Sequence, residues 1–144
     1  MADEPVLLSM IDMAMECLDD AELLLNEDRY RSAVTKSYYA MFHLSNALAF
    51  CDGKQFSRHS QVIGYFGSQY IRTNEIDRNW FSALNGASAL RNKSDYLYGS
   101  VVTKPEAEQH YSNAVLFSKA ILSYIFDKKC SSDVIKTILD ERFI

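Results

Sequence analysis

Apolar residues recur at Leu7, Met10, Ile11, Ala14, Leu18, Ala21 and Leu25. Steps of three and four residues place them on one face of an α-helix. Nowhere in the 144 residues do apolar and polar positions alternate with the period of two that a half-buried strand shows. Five glycines and two prolines also leave too few turn residues for a β-rich fold. The chain therefore has to pack helices on helices.

The breaks between the periodic stretches divide it. Pro5 suits a first helical turn, with Asp3 and Glu4 beside its positive end. Asn26-Glu27-Asp28 interrupts the pattern and opens a second helix over about 28–50. Its stripe is Tyr30, Ala33, Val34, Ser37, Tyr38, Met41, Phe42, Ser45 and Leu48, and Gly53 is a left-handed stop. Ser57 caps a third helix over about 58–71. Thr73 or Asn74 caps a fourth over about 75–98, with Ile76, Trp80, Leu84, Ala87, Leu90 and Tyr98 as inward candidates, and Gly99 ends it. Thr103-Lys104-Pro105-Glu106 reads as a capping box opening a fifth helix to about Phe126. Ser131 or Ser132 starts a short last helix carrying Val134, Ile135, Ile138, Leu139 and Phe143, with Phe143 and Ile144 free to pack on a second copy or a partner. The expectation is an all-α, antiparallel up-and-down bundle of four to five helices plus a short C-terminal helix, one domain over 1–144.

Composition narrows the function classes. No apolar run reaches the roughly 20 residues that span a bilayer. The acidic first residues lack the basic start of a secretory signal, so a cytoplasmic protein is expected. Cys17, Cys51 and Cys130 stand far apart, as do His43, His59 and His110, so no metal site and no cofactor motif is legible. Net charge is −4, unevenly spread. Residues 1–28 hold nine acidic residues and no Lys or Arg; the rest holds 15 basic and ten acidic residues. The acidic stretch reads as a solvated helix face; alternatively it meets a basic partner, or the body meets RNA.

Three blocks, in order over about residues 15–125, carry a family likeness: DRYRSAVTKSYYAMFHLSNALAF, HSQVIGYFGSQYIRTNEI and RNKSDYLYG. Together they resemble the HEPN family, in the branch of small stand-alone prokaryotic proteins with an Arg-x-x-x-Asp-Tyr signature. The last twenty residues lie outside the likeness. The resemblance implies a homodimeric helical bundle and a metal-independent endoribonuclease, commonly the toxin of a toxin–antitoxin pair. It also implies a minimal nucleotidyltransferase as partner, encoded in the same two-gene module. The family's motif is an arginine, four to six residues, then a histidine. Arg91 and Asn92 match its start. Tyr96, Leu97 and Tyr98 stand where the histidine is expected.

Metal-free RNA cleavage needs one group to take a proton from a 2′-hydroxyl and another to protonate the leaving oxygen. Arginine stabilises the phosphate charge but cannot be the base, and tyrosine, with an unperturbed pKa of about 10, is a poor one. Three readings stay open. In the first, Arg91, Asp95 and Tyr98 form a structural ladder on one helix face, in a non-catalytic module that binds RNA or a nucleotide, or masks a partner. Alternatively, His59 at the start of the third helix supplies the base, in a composite site with Arg91, Tyr39, Asp95 and Tyr96. In the third, Tyr98 is a modification target: the resemblance implies that the partner adenylylates a tyrosine two positions after the motif histidine, and Tyr98 stands two after Tyr96. The Tyr38-Tyr39-Phe42 stripe has helical spacing and reads as core. Lys54, Arg58, Arg72, Arg78, Arg91 and Lys93 would follow a phosphate backbone if they converge.

Overall fold

Apolar stripes broken by caps and turns produce six α-helices in the computed structural model, which describes residues 3–143. They are α1 (Glu4–Asn26), α2 (Tyr30–Cys51), α3 (His59–Phe66), α4 (Arg78–Tyr96), α5 (Lys104–Lys128) and α6 (Asp133–Arg142). A single π-helical stretch, Gly67–Ile71, carries α3 onward. No strand occurs among the described residues. No described helix is long and apolar enough to cross a membrane.

Local chemistry explains most boundaries. The Asp3 carboxylate accepts the Val6 N–H at 3.3 Å, and Pro5 sits in the first turn of α1. Asp28, with φ 58°, turns the chain into α2, and Gly53, with φ 75°, turns it out again. The capping box of α5 is complete: the Glu106 N–H donates to Thr103 Oγ1 at 3.3 Å, and the Thr103 N–H donates to Glu106 Oε1 at 3.1 Å. Ser132 caps α6 by accepting the Val134 N–H.

Two expected caps are displaced. At α4 the cap is Asp77, which accepts the Asn79 N–H at 2.7 Å, rather than Thr73 or Asn74. Asn74 adopts φ 61° and makes the preceding turn, which lets Ile76 enter the core before the helix begins. At α3 Ser57 makes no capping bond among the described residues; Arg58 is the extended residue before the helix, and Gln61 accepts its N–H. Tyr98 needs a larger correction. It lies beyond the end of α4 and is 93% exposed, so it neither packs in the bundle nor continues the Arg91–Asp95 face. Phe143 is likewise tucked into this chain's own core rather than offered to a partner, and Ile144 lies outside the described residues.

Helix α2 is central and packs against α1, α3, α4 and α5. Ala33, Ser37, Ala40, Ser45 and Ala47 are buried on it and let neighbouring backbones approach. Leu7 and Ile11 of α1, Tyr38, Met41 and Leu48 of α2, and Phe117 and Ile121 of α5 join one buried cluster. Burying each large apolar side chain contributes about 1.5–3 kcal/mol. A second cluster, Val34, Val102 and Ala107, seats the segment between α4 and α5 against α2. At the far end of α2, Asp52 accepts hydrogen bonds from Tyr65 (2.8 Å), Tyr70 and Lys129 (2.8 Å). That carboxylate ties α2, the π-helical stretch and the end of α5 together. Arg142 forks onto Asp19 at 2.8 and 2.6 Å and fastens α6 to α1.

Candidate functional site

The first helical turn of α3 meets the last turns of α4 across one face of α2. Tyr38, Tyr39, Phe42 and His43 occupy that face at steps of one and four residues. Tyr38 and Phe42 are buried, as a core stripe should be, while Tyr39 and His43 are half-buried. The imidazole of His59 stacks on Phe42 with centroids 4.0 Å apart. Its Nδ1 lies 3.1 Å from the Tyr38 hydroxyl. The Arg91 guanidinium stands over the same rings, 5.3 Å from the Tyr38 centroid and 5.4 Å from that of Tyr39. Its Nε donates to Asp95 at 3.2 Å. The Arg91 side chain is only 13% exposed.

Arg91, His59, Tyr39 and Asp95 thus come together, and Tyr96 begins an exposed rim beside them. Asn92 is exposed and makes none of these contacts. Tyr98 is further out on the rim with Leu97 and Val101. The Arg91–Asp95 pair is thus formed without Tyr98, and His59 stands on the same two tyrosines as Arg91. An aromatic base under a guanidinium adds a cation–π attraction of about 1 kcal/mol or more and fixes the cation's position.

Electrostatics set the protonation states. Burial, and then the positive charge of Arg91, hold His59 below the usual imidazole range. Burial, His59 and Lys36 do the same for His43. Burial pushes the Tyr38 hydroxyl up, so it remains a phenol. For Arg91, burial opposes the charge, but Asp95 and Tyr96 outweigh it and raise the pKa. A neutral imidazole beside a fixed cation is the pairing needed for base catalysis at a phosphate. When His59 donates its Nδ1 proton to the Tyr38 oxygen, Nε2 is left as the free base.

Residues that sequence reasoning passed over complete the site. His43 stacks on Tyr39, with centroids 5.9 Å apart, and its step of four from Tyr39 was the available signal. Together they reach a groove of about 350 Å³ between α1 and α2, where Lys36 pairs with Asp20 at 3.7 Å. Arg31 had no local signal. Its guanidinium crosses from α2 to the carbonyls of Ser94 and Ser100, the latter at 2.8 Å, and so holds the end of α4 and the segment after it.

Comparison with known proteins joins this geometry to a family. The HEPN domain profile matches residues 8–125. The chain belongs to the HEPN domain family. Among relatives, a "UPF0332 protein" of Thermotoga maritima is 39% identical over 83 residues, which cover 58% of this chain and 63% of that protein. The match thus spans less than two thirds of that relative's length. The "Putative toxin MJ0142" of Methanocaldococcus jannaschii is 31% identical over 119 residues, 83% of this chain and 81% of that protein. A second protein of that organism, "Putative toxin MJ0605", is 31% identical over 109 residues.

Proposed function

We propose that this HEPN protein is a toxin-type component that cleaves RNA without a metal ion, with its base moved from the motif position to His59. The observation that carries the reading is that His59 and Arg91 stand on the same two rings, Tyr38 and Tyr39. The names of the Methanocaldococcus relatives support it. In the proposed step, His59 takes the proton of a ribose 2′-hydroxyl. The 2′-oxygen attacks the adjacent phosphorus, and the bond to the 5′-oxygen breaks, leaving a 2′,3′-cyclic phosphate. Arg91 meets the charge that develops on the phosphate, with Asp95 holding its plane. Tyr96, a phenol on the exposed rim, donates a proton to the departing 5′-oxygen.

End-labelled RNA incubated in EDTA with the wild type, Arg91→Ala and His59→Ala tests this. Cleavage by the wild type should fall about 10²–10⁴-fold in His59→Ala, the usual worth of a positioned acid–base group, and about 10²–10³-fold in Arg91→Ala, that of a donor to transition-state charge. Equal cleavage by His59→Ala would remove the relocated base.

A second reading concerns regulation within a two-gene module, and the exposure of Tyr98 favours it. A nucleotidyltransferase partner would dock on the rim of Tyr96, Leu97, Tyr98 and Val101. The Tyr98 oxygen would then attack the α-phosphorus of ATP; the phenolic proton goes to a base of the partner, and pyrophosphate leaves. Incorporation of labelled adenylate with the partner present should be lost in Tyr98→Phe, and undiminished labelling would sink the assignment. Homodimerisation is part of the proposal on the strength of the family resemblance.

A further inference from the structure

The α3–α4 pair has a second end, away from the cleavage cluster. There a groove of about 320 Å³ is lined by Gly64, Gly67, Ser68 and Arg72 on one wall and by Arg78 and Phe81 on the other. Both arginines are exposed, and neither pairs with a carboxylate among the described residues. The two acids between them in sequence are engaged elsewhere. Glu75 accepts the Tyr124 hydroxyl at 3.2 Å, and Asp77 caps α4.

Glycine shapes the groove. A Cβ on Gly64 would stand in open space, so the backbone there is bare. At Gly67 a Cβ would come within 2.9 Å of Phe81 Cε1; without it, the ring lies directly against the π-helical backbone. Two unpaired guanidiniums, a hydroxyl, a bare backbone and an aromatic wall suit a ligand with phosphate oxygens and a flat ring attached. A nucleotide within a single strand is such a ligand. Insertions of π-helix often accompany functional sites.

The spacing connects this groove to the cleavage cluster. His59 and Arg91 share Tyr38 and Tyr39 at one end, while Gly67 meets Phe81 at the other, so α3 and α4 run antiparallel. At 1.5 Å per residue, His59 to Gly67 is about 12 Å along α3, and Phe81 to Arg91 about 15 Å along α4. A stacked strand advances about 3.4 Å per nucleotide, so about four nucleotides bridge the gap. The sequence that contains both helices is also basic. Residues 54–94 contain six Lys or Arg and only the two engaged acids.

We propose that the Arg72–Arg78 groove is a second phosphate subsite, holding single-stranded RNA about four nucleotides from the bond at Arg91 and His59. The inference rests on the RNA-cleaving reading. The test measures fluorescence anisotropy of a labelled octanucleotide and a labelled dinucleotide across a salt series. The proteins are the wild type, Arg72→Gln/Arg78→Gln and Arg72→Lys/Arg78→Lys. Octanucleotide affinity should fall about tenfold in the glutamine variant. Its slope of log K against log salt should shrink by about 1.4, for two phosphates at roughly 0.7 each. The lysine variant should keep the slope. A dinucleotide, too short to reach both ends, should show no such loss. A glutamine variant matching the wild type on the octanucleotide would overturn the subsite and leave the RNA reading standing. A wild type that binds neither RNA would remove both.

Discussion

His59 gains its proposed role from what surrounds it, none of which is close in sequence. Phe42 supports one ring face, Tyr38 holds Nδ1, and Arg91 adds a positive charge on the same two tyrosines. Burial comes first and the Arg91 charge second in lowering its pKa. The imidazole should therefore titrate below its ordinary midpoint of about 6.5. Because the neutral form is the base, cleavage should fall as pH drops through that lowered midpoint and stay level above it. NMR titration of the His59 ring protons checks the value directly. Removing the cation with Arg91→Gln should move the midpoint upward. A wild-type midpoint at or above the ordinary value would contradict the assignment. The sequence displayed Arg91, Asp95 and the missing motif histidine plainly, because they are local. The distance between His59 and Arg91 depended on how α3 and α4 cross α2.

At the level of elements, the α4 terminus and the segment to α5 present the exposed rim, and that segment depends on α2. Arg31 holds the carbonyls of Ser94 and Ser100, while the Ser100 hydroxyl reaches back to the Lys93 carbonyl at 3.3 Å. Helix ends expose carbonyls with no partner in the helix, and here a charged donor from another helix meets one of them. Arg31→Ala removes two charge-assisted bonds made by an exposed residue. It should cost about 1–3 kcal/mol in urea unfolding. Backbone amides of residues 94–101 should exchange faster, while α1 and the middle of α2 stay protected. Unchanged exchange in that segment would show that Val102, in its cluster with Val34 and Ala107, seats it alone. The caps illustrate the limits of local reading. Thr103 and Glu106 declare themselves because both halves of the box lie within one turn. Asp77 displaced Thr73 and Asn74 because Ile76 had to be buried before α4 could start.

Across the whole molecule, protonation is coupled to folding. His43, His59 and His110 are all held below the ordinary imidazole range, with burial the first cause in each. For His110 the Glu106 charge works against that burial without reversing it. The folded state therefore binds fewer protons than the unfolded chain near pH 6. Their contribution to stability is fully present above about pH 6.5 and is lost as pH falls toward the lowered values. Two carboxylates extend the loss further into acid. Glu106 is lowered by its bonds with Thr103. For Asp52, burial opposes ionisation, but Lys129, Tyr70 and Tyr65 outweigh it. Melting temperature should accordingly hold level from pH 7.5 to about 6.5 and then decline toward pH 5, about 3 °C for each kcal/mol lost in a chain of this size. A flat profile across pH 6 would show that the imidazoles are as solvated as in the unfolded chain. The sequence alone determined the helices, their order and most of their ends, since apolar spacing, caps and glycine turns act over one or two turns. Tertiary structure decided which side chains meet: His59 with Arg91, Arg31 with the end of α4, and the two arginines of the groove. Those meetings follow from the packing of helices around the small residues of α2, and no spacing along the chain encodes them.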